Sequence, residues 1–300
     1  MNALLSTAER AFIQTGVESG LRQDGRAESD FRTLIIENSV LPQVNGSSRV
    51  RLGLGTELLC SVKLEITEPE EDAPDRGILE VGMEISPSCA RYGDDPKKLG
   101  NVTAELSEFL RSMYIESASV DLEALCIIPG KFCWTLFVDV VVMQVDCNIL
   151  DACSIAMYVA LDCTRVPALK LIPGERGEME DFEVTGDLTR AGELSVVALP
   201  LLITVHGVGA RRLLDADADE ISCASGAMSV AVDSAGTCRA LHKQQVGTVA
   251  LADIRTAVAM ASIAAAALFP VLSNLKRESA RVARDGVYEE MPPIRQGFLF

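Results

Sequence analysis

The sequence Trp134-Thr-Leu-Phe-Val-Asp-Val-Val-Val-Met-Gln144, with its continuation to Leu161, decides the fold of this chain. Its first part is dense in β-branched and aromatic residues, which is typical of a strand buried on both faces. Residues 151–161 are small and aliphatic without strict alternation, and a run of that length favours a buried helix. A strand, a short turn and a helix in this order place the turn at the open end of a sheet, where α/β proteins commonly carry their chemistry.

The turn itself, Asp146-Cys-Asn-Ile-Leu150, lacks the groups that bind phosphate. Phosphate-binding loops usually offer glycines for close backbone approach, a hydroxyl group and an arginine for bidentate contact. This turn contains no glycine and no cationic side chain, and Ile149 and Leu150 are aliphatic. We therefore expect a turn in the position of an active site that carries no catalytic groups.

Length and charge limit the classes of function. At 300 residues the chain is long enough for one large or two medium domains with sizeable cores. It carries 43 acidic residues against 27 basic ones, a formal net charge of -16. Because an acidic surface repels a phosphate backbone, tight autonomous binding of nucleic acid is not expected. RNA contact should be confined to a local basic patch or shared with a partner.

The cysteines and histidines do not predict a metal site. The nine cysteines form no Cys-x-x-Cys pair, and His206 and His242 are the only histidines. Most of the cysteines lie in apolar runs, which is typical of buried free thiols in a reducing compartment. We therefore predict neither a metal nor a cofactor.

The sequence predicts no secretory signal and no membrane span. Its N-terminus lacks a basic and apolar signal segment. The apolar run 257–272 is alanine-rich and contains Ser262 and Pro270, and we expect it to be too short to cross a bilayer. It is predicted to be a core helix.

The remaining sequence predicts strands followed by a helix in each half. A capping box at Ser6 and Glu9 predicts a first helix towards Glu18, and Asn45-Gly46 predicts a hairpin turn. Predicted strands cover residues 31–37, 49–52, 57–66, 78–85 and 121–128, then 199–206, 210–214, 227–232 and 237–241, and predicted helices cover 99–114 and 250–284, the latter kinked at Pro270.

A charged, irregular stretch divides the two halves. It predicts an N-terminal helix and arm (1–30), a first half (31–172), a linker (173–187), a second half (188–284) and a tail (285–300). The repeated order of strands and helix is compatible with a diverged duplication, although the halves match only faintly residue by residue.

Several segments in a fixed order resemble the RNase PH family. They are Arg22-Gln-Asp-Gly-Arg26 with Arg32, Asn45-Gly-Ser-Ser-Arg49, Gly55-Thr56 before a strand, a helix at 100–112, and residues 137–161. The resemblance covers nearly the whole chain and implies an α+β, RNase PH-like (ribosomal protein S5 domain 2-like) fold, with two βα halves packed as one unit. The strand 134–139 and Asp151-Ala-Cys-Ser-Ile155 look most like the non-catalytic RNase PH-like ring subunits of the RNA exosome.

The resemblance also implies that the active site is degenerate. Active members cleave RNA from its 3′ end with phosphate, which they hold in a Gly-Gly-Thr/Ser-Arg turn. In the alignment, that turn falls on Cys147, Asn148, Ile149 and Leu150. The family's two active-site aspartates fall on Ile221 and Ala227, and its RNA-contacting arginine falls on Asn101. None of these residues matches, so the resemblance implies that the chain does not perform phosphorolysis by itself.

The partners implied by the resemblance are those of the exosome. They are other RNase PH-like subunits in a six-membered ring, cap subunits with RNA-binding domains, an associated exoribonuclease, and RNA in the central channel, without a membrane. The implied process is 3′-to-5′ processing and degradation of RNA, including rRNA, in the nucleus, nucleolus and cytoplasm. An exposed strand edge that joins a partner's sheet would supply the dimer contact. The isolated chain is expected to be poorly soluble or to form aberrant oligomers.

Charged clusters leave alternatives open. The basic set Arg91, Lys97, Lys98 and Arg111 either contacts RNA phosphates or is a solvated helix start. The acidic set Asp215, Asp217, Asp219 and Glu220 is either a Mg²⁺ site or, as we favour, a solvated turn.

Three further groups have competing interpretations. Asp139 and Asp146 are interpreted as turn or hydrogen-bonding residues in preference to a catalytic pair. Arg22, Asp24 and Arg26 are interpreted as an ion-pair cluster that fixes the N-terminal arm, in preference to a ligand site. Gly53-Leu-Gly55 favours a hairpin turn over half of a dinucleotide loop.

Two rival functions remain at this point. One is an active phosphate-dependent 3′-to-5′ exoribonuclease, which would release nucleoside diphosphates from RNA. The other is an unrelated metabolite-binding α/β protein, which would bring down no homologous ring partners.

Overall fold

The computed structural model describes residues 5–86, 89, 96–173, 179–185, 190–244, 249–285 and 296–298. In chain order the elements are α1 (Thr7–Glu18), β1 (Leu34–Asn38), β2 (Gly46–Leu52), β3 (Thr56–Thr67), β4 (Ile78–Ile85), α2 (Pro96–Glu116), β5 (Cys126–Ile128), β6 (Phe132–Gln144), α3 (Ile149–Asp162), β7 (Arg165–Val166), β8 (Leu169–Pro173), β9 (Met179–Val184), β10 (Gly192–Glu193), β11 (Leu201–Val208), β12 (Arg211–Leu214), α4 (Ala218–Cys223), β13 (Gly226–Val232), β14 (Cys238–Gln244), α5 (Leu251–Asp285) and β15 (Gln296–Phe298). Alternating strands and helices thus build the α+β fold that the sequence predicts.

The first sheet is organised around β6. Its strand order is β15-β1-β2-β3-β6-β4, with β5 paired beside β6. Neighbouring strands run antiparallel, except that β4 runs parallel to β6. On the face towards the core, Cys60 and Val62 of β3 lie beside Val138 and Val140 of β6, and all four are buried. The buried face predicted for β3 is confirmed at these positions.

Helix α3 joins the first sheet to the second. It packs against β2 and β3 on one side and β11 on the other, and most of its side chains are buried. Ser48 of β2 donates a hydrogen bond to the Ala156 carbonyl (2.7 Å), and Ser154 accepts one from Leu202 N (2.9 Å). The predicted buried helix is confirmed, and it carries the turn before it into the space between the sheets.

The second sheet is antiparallel, in the order β12-β11-β13-β14, and α5 packs against β11 and β13. Small side chains of α5, including Ala257, Ala261 and Ala265, are buried on this contact face, which confirms the predicted core helix. Residues 251–276 contain an 18-residue window with a mean hydropathy of 1.9 and are, by length and composition only, sufficient to cross a membrane. The expectation that the apolar run 257–272 does not cross a bilayer stays a prediction, because this criterion concerns the longer helix and core helices also meet it.

The composition of strand β6 predicts burial on both faces, but only one face is buried. Val141 and Met143 are each 37% exposed, and Asp139 between the apolar residues also faces solvent. The prediction was wrong because β-branched residues continue on the outer side of the sheet, where no described helix covers them.

Other boundaries also differ from the sequence analysis. Gly46 lies inside β2 and not in a turn. A glycine is required there because α3 approaches β2 too closely for a side chain at this position. Residues 123–125 form a 3₁₀ helix and only 126–128 form a strand. Within the predicted linker, β9 pairs with β8, so this part of the linker is not irregular.

The domain division at this linker stays a prediction. In the predicted tail, β15 pairs with β1 through Leu34 and Phe298. Pro270, where the sequence predicts a kink, lies within α5.

Candidate functional site

The turn between β6 and α3 is held in place by the start of β3. The Thr56 hydroxyl donates a hydrogen bond to the Cys147 carbonyl (2.8 Å) and accepts from the amides of Asp146 and Cys147 (3.3 Å each). Gly55 is required beside it, because a Cβ there would lie 2.6 Å from the Cβ of Asp146. The Gly55-Thr56 pair thus shapes the turn, and the preceding Gly53 (φ 61°) makes the predicted β2–β3 hairpin turn.

Loss of the Thr56 hydroxyl is expected to loosen this turn. In Thr56→Val three backbone groups lose their partner, and we expect the free energy of unfolding to fall by about 1–3 kcal/mol. Thr56→Ser keeps the hydroxyl and should lose only about 1 kcal/mol with the methyl group. Urea unfolding of the two variants distinguishes the hydroxyl from the methyl, and equal losses would contradict this assignment.

Asn148 directs the turn towards the second half of the chain. It adopts a left-handed conformation (φ 53°) at the N-terminus of α3, which asparagine tolerates better than most residues. Its side-chain amide donates to Asp215 Oδ1 (2.7 Å) and to the Ala216 carbonyl (3.0 Å). Both donor positions of this amide are therefore used within the protein.

Asp215 is the buried centre of the site. Its carboxylate accepts hydrogen bonds from the Arg32 amide (2.7 Å), from Arg32 Nε (2.9 Å) and Nη2 (2.8 Å), and from Arg26 Nη1 (3.2 Å). Burial by itself would raise the pKa of Asp215, but the hydrogen bonds and charge of Arg32, with the charge of Arg26, outweigh it and hold the pKa below its usual value. Asp215 is thus an ionised carboxylate that forms ion pairs with two guanidinium groups.

Arg32 is a cation that the sequence analysis did not place at the turn. Its Nη1 lies 3.5 Å from Asp146 Oδ2, so a guanidinium does stand beside the turn although the turn contains none. The motif that contains Arg32 is visible in the sequence, but the contact of Arg32 with Asp146, far along the chain, is not. Arg26 Nη2 is buried without a hydrogen-bond partner among the described residues, while its Nε and Nη1 contact Asp24 and Asp215.

The remaining groups of the turn offer little chemistry. Burial raises the pKa of the Cys147 thiol to about 12, so this sulfur is a protonated thiol at neutral pH and a poor nucleophile. Ile149 and Leu150 are buried in the first turn of α3. Residues 147–150 thus present a protonated thiol, an engaged amide and two buried aliphatic side chains, and the arginines beside them bind Asp215.

A second buried ion pair fixes the N-terminal arm. Arg22 binds Glu220 through Nε (2.9 Å) and Nη2 (2.7 Å), and both side chains are 1% exposed. Together with the Arg26 contacts to Asp24 and Asp215, this pair confirms the predicted ion-pair cluster.

The acidic set of the second half is not a solvated turn. Asp215 and Glu220 are buried against arginines, and Asp217 caps α4 by accepting from the Glu220 amide (2.8 Å). Only Asp219 of the set is exposed. That interpretation was wrong because the arginines that pair with these acids come from the distant N-terminal arm. No cluster of metal-ligating side chains occurs in the part of the chain that the structure describes.

The positions aligned with the family's acids lie on two consecutive elements. Ile221 lies on the short helix α4, and Ala227 is buried in β13 opposite His206. Asp139 and Asp146 are not brought together, since Asp139 lies on the outer face of β6, roughly 20 Å along the strand from Asp146. Asp146 lies beside Arg32, in agreement with a hydrogen-bonding role.

The basic set is described only in part. Arg91 lies outside the described residues, Lys97 and Lys98 lie in the first turn of α2, and Asn101 follows them on the same helix. The Arg111 guanidinium donates to the Leu79 carbonyl (3.2 Å) and lies near Glu80 (3.7 Å) and Glu108 (3.6 Å). Contact of these residues with RNA stays a prediction.

A buried polar chain behind the turn was not found by sequence reasoning. Gln244 donates to Ser229 (2.6 Å), Ser229 contacts Thr204 (2.7 Å), and the Thr204 hydroxyl and amide donate to Asp151, the amide at 2.9 Å. Burial raises the pKa of Asp151 to about 7, although the hydrogen bonds from Thr204 oppose the rise. This chain ties α3 to three strands of the second sheet.

The raised pKa of Asp151 predicts a pH-dependent stability. Because the folded state keeps this proton up to about pH 7 and the unfolded state releases it near 3.8, the contribution is present at low pH and is lost as pH rises through 7. Asp151→Asn removes the titration, so the stability of the variant relative to the parent should rise by roughly 2–3 kcal/mol between about pH 5 and pH 8. Urea unfolding at several pH values measures this, and a pH-independent difference would contradict it.

Comparison with known proteins matches most of the chain. Residues 30–167 match the family described as "3' exoribonuclease family, domain 1". The chain is 32% identical over 244 residues to "Exosome complex component Rrp42" of Methanopyrus kandleri, covering 81% of this chain and 88% of that protein. It is also 32% identical over 272 residues to the protein of the same name in Sulfurisphaera tokodaii, covering 90% and 95%.

Solved structures give the same result for the fold. The structure described as "Archaeal exosome core" superimposes with a TM-score of 0.71 and 26% identity, over 89% of this chain and 96% of that one. The Archaeoglobus fulgidus exosome with RNA bound to the active site superimposes with a TM-score of 0.71 and 28% identity, over 84% and 93%. The α+β fold predicted from the sequence is therefore confirmed.

Proposed function

The chain belongs to the RNase PH family of 3′ exoribonucleases, and from this premise we propose that it is a ring subunit of an RNA exosome that does not itself catalyse phosphorolysis. The likeness to an Rrp42 component covers 90% of this chain and 95% of that protein, which supports a role as a ring subunit. Its partners in this proposal are homologous RNase PH-like chains in the same ring, cap subunits and an associated exoribonuclease.

One observation carries the non-catalytic part of the proposal. Asp215 accepts hydrogen bonds from the amide of Asn148 and from the guanidinium groups of Arg26 and Arg32, so these donors already bind an anion within the chain. An incoming phosphate would compete with a buried carboxylate of its own sign for these donors. The turn is built to support the fold and not to hold an anion.

In this proposal RNA passes through the ring to a nuclease partner. A chain with a net charge of -16 is poorly suited to hold RNA alone, so the ring and its cap would share the contact. The basic set on and before α2 is proposed to supply point charges towards the channel without reading sequence. A nuclear, nucleolar and cytoplasmic location stays a prediction.

Affinity purification of the tagged full-length chain tests the assembly. Mass spectrometry is expected to identify homologous RNase PH-like chains in near-equal amounts, together with cap proteins and an exoribonuclease. Recovery of the chain without homologous partners would contradict the ring proposal and favour an unrelated binding protein. A tagged unrelated protein of similar net charge controls for non-specific capture.

The rival function, an active phosphate-dependent exoribonuclease, agrees with the family but not with the site. It requires anion-binding groups at residues 147–150, where the structure has a thiol, an engaged amide and two buried aliphatic side chains. The rival would gain support only from phosphorolysis by the purified chain.

A further inference from the structure

The outer face of the first sheet is defined as the side of β2, β3, β6 and β4 that points away from α3. Its middle rows are exposed or half-buried, whereas Cys133 and Thr135 at the start of β6 are buried on this side. Its centre is apolar, since Leu59 lies beside Val141 and Met143 follows on β6. A monomeric soluble protein rarely leaves an apolar band across a sheet uncovered. The same β-branched run led the sequence analysis to expect burial on both faces of β6.

One row of paired residues across this face has segregated charge. The strand registers place Arg49 opposite Leu59, Leu59 opposite Val141, and Val141 opposite Glu84. The row therefore reads basic, apolar, apolar, acidic from β2 to β4. Arg49 also contacts Glu57 and Glu37 within the chain, but its side chain remains 39% exposed.

Two neighbouring rows also place side chains of different character on β3 and β6. Ser61 lies opposite Asp139, and Lys63 lies opposite Phe137. Asp139 and Lys63 are exposed, and Ser61 and Phe137 are half-buried. Each row thus presents one member of a favourable pair on β3 and the other member on β6.

A two-fold axis parallel to the strands, between β3 and β6, makes these rows complementary to themselves. Rotation about this axis lays β3 over β6 of a second copy and β2 over β4 of that copy. Arg49 then faces Glu84 of the second copy, and Leu59 faces its Val141. Lys63 faces Phe137 and Ser61 faces Asp139, which are cation–π and hydrogen-bonding partners. Aligned packing of two sheets keeps the strands within about 30° of each other, so the rows remain approximately in register.

We propose that the outer face of the first sheet is a self-complementary dimerisation surface, occupied by a second copy of this chain when the chain is free of other partners. An isologous contact of this kind closes as a dimer and does not propagate. The proposal concerns the free chain, so it stands or falls separately from the exosome assignment.

The size of the face fits a weak to moderate dimer. Four strands at about 4.8 Å spacing and about eight residues at 3.3 Å each give a face of roughly 19 by 26 Å. Burial of this area on both copies amounts to roughly 1,000 Å², which is near the lower limit for a specific interface. Association should therefore depend on protein concentration.

Charge reversal tests the pairing. Sedimentation equilibrium of the purified full-length chain should show a concentration-dependent dimer. Arg49→Glu alone and Glu84→Arg alone each create two like-charge pairs, and each should weaken dimerisation about tenfold or more. An equimolar mixture of the two variants restores both opposite-charge pairs, so a heterodimer of near-parental affinity should form.

The mixture also separates the proposal from simple misfolding, since a misfolded variant would not regain affinity on mixing. Val141→Lys should abolish the dimer, whereas Leu241→Lys, at a 48% exposed position of β14 in the other sheet, should leave it unchanged. A parent chain that is monomeric at all concentrations would overturn the proposal. So would a mixture that associates no better than its components, or pairing through this face only with a different RNase PH-like chain.

Discussion

Asp215→Asn is expected to destabilise the protein by about 3–5 kcal/mol, because it removes the buried counter-charge of Arg26 and Arg32 and leaves them only the more exposed carboxylates of Asp24 and Asp146. Asparagine is nearly isosteric with aspartate and tolerates the left-handed conformation of this residue (φ 43°), so the backbone is not strained and the loss comes from the missing charge and one missing acceptor oxygen. Urea unfolding at neutral pH measures the loss.

The pH dependence of unfolding is a second test of the contribution of the Asp215 carboxylate. The pKa of Asp215 is depressed in the folded state, so its contribution is present above the usual value of 3.8 and is lost as pH falls below it. The difference between parent and variant should therefore shrink in acid. Asp219→Asn, at the exposed member of the acidic set, serves as the control and should change stability by less than about 0.5 kcal/mol. Equal effects of the two substitutions would contradict the buried-charge account.

Gly46→Ala is expected to be the most damaging single-methyl addition to the first sheet. A Cβ at this position would overlap the Thr164 side chain and lie 2.5 Å from the Ala160 carbonyl oxygen, which belongs to the backbone of α3. Since α3 is packed between both sheets, relief requires movement of the helix, and we expect a loss of about 3 kcal/mol or more. Thermal and urea unfolding measure it.

Gly100→Ala is the matched control for that substitution. Gly100 lies within α2, and an added Cβ there meets nothing within 4 Å. Alanine should therefore stabilise the helix by up to about 1 kcal/mol. If Gly46→Ala were as mild as this control, the close approach of β2 and α3 would be wrong.

Local patterns predicted the elements that depend on neighbours in sequence. The Ser6 and Glu9 capping box, the alternation in β4 and the aliphatic run of α3 each identified their element because the signal lies within a few residues. The short helix α4 was missed, although Asp217 and Glu220 form the same kind of capping box. In that case the acids were interpreted by their charge and not by their spacing.

The candidate site was predictable only in what it lacks. The apolar character of residues 147–150 is readable from the sequence, but the contact of Arg32 with Asp215 spans 183 residues. Burial of a carboxylate depends on such distant partners, which is why Asp215 and Glu220 were assigned to a solvated turn. The motif around Arg22 and Arg26 suggested an ion-pair cluster without showing which acids complete it.

The outer face of β6 was predicted to be buried in the core, but it is exposed. Hydrophobicity on both faces of a strand indicates burial, but it does not distinguish burial in the core from burial by another molecule. Val141 and Met143 carry the same signal as the core residues on the inner face.

The most direct test of the central claim is an assay of phosphorolysis by the purified chain. RNA with a free 3′ end is incubated with the protein and inorganic phosphate, and nucleoside diphosphates are quantified by chromatography, with phosphate binding followed by calorimetry. The account predicts no product above the protein-free control and no saturable phosphate binding, because Asp215 already binds the donors around residues 147–150. Release of nucleoside diphosphates in proportion to protein concentration would contradict it.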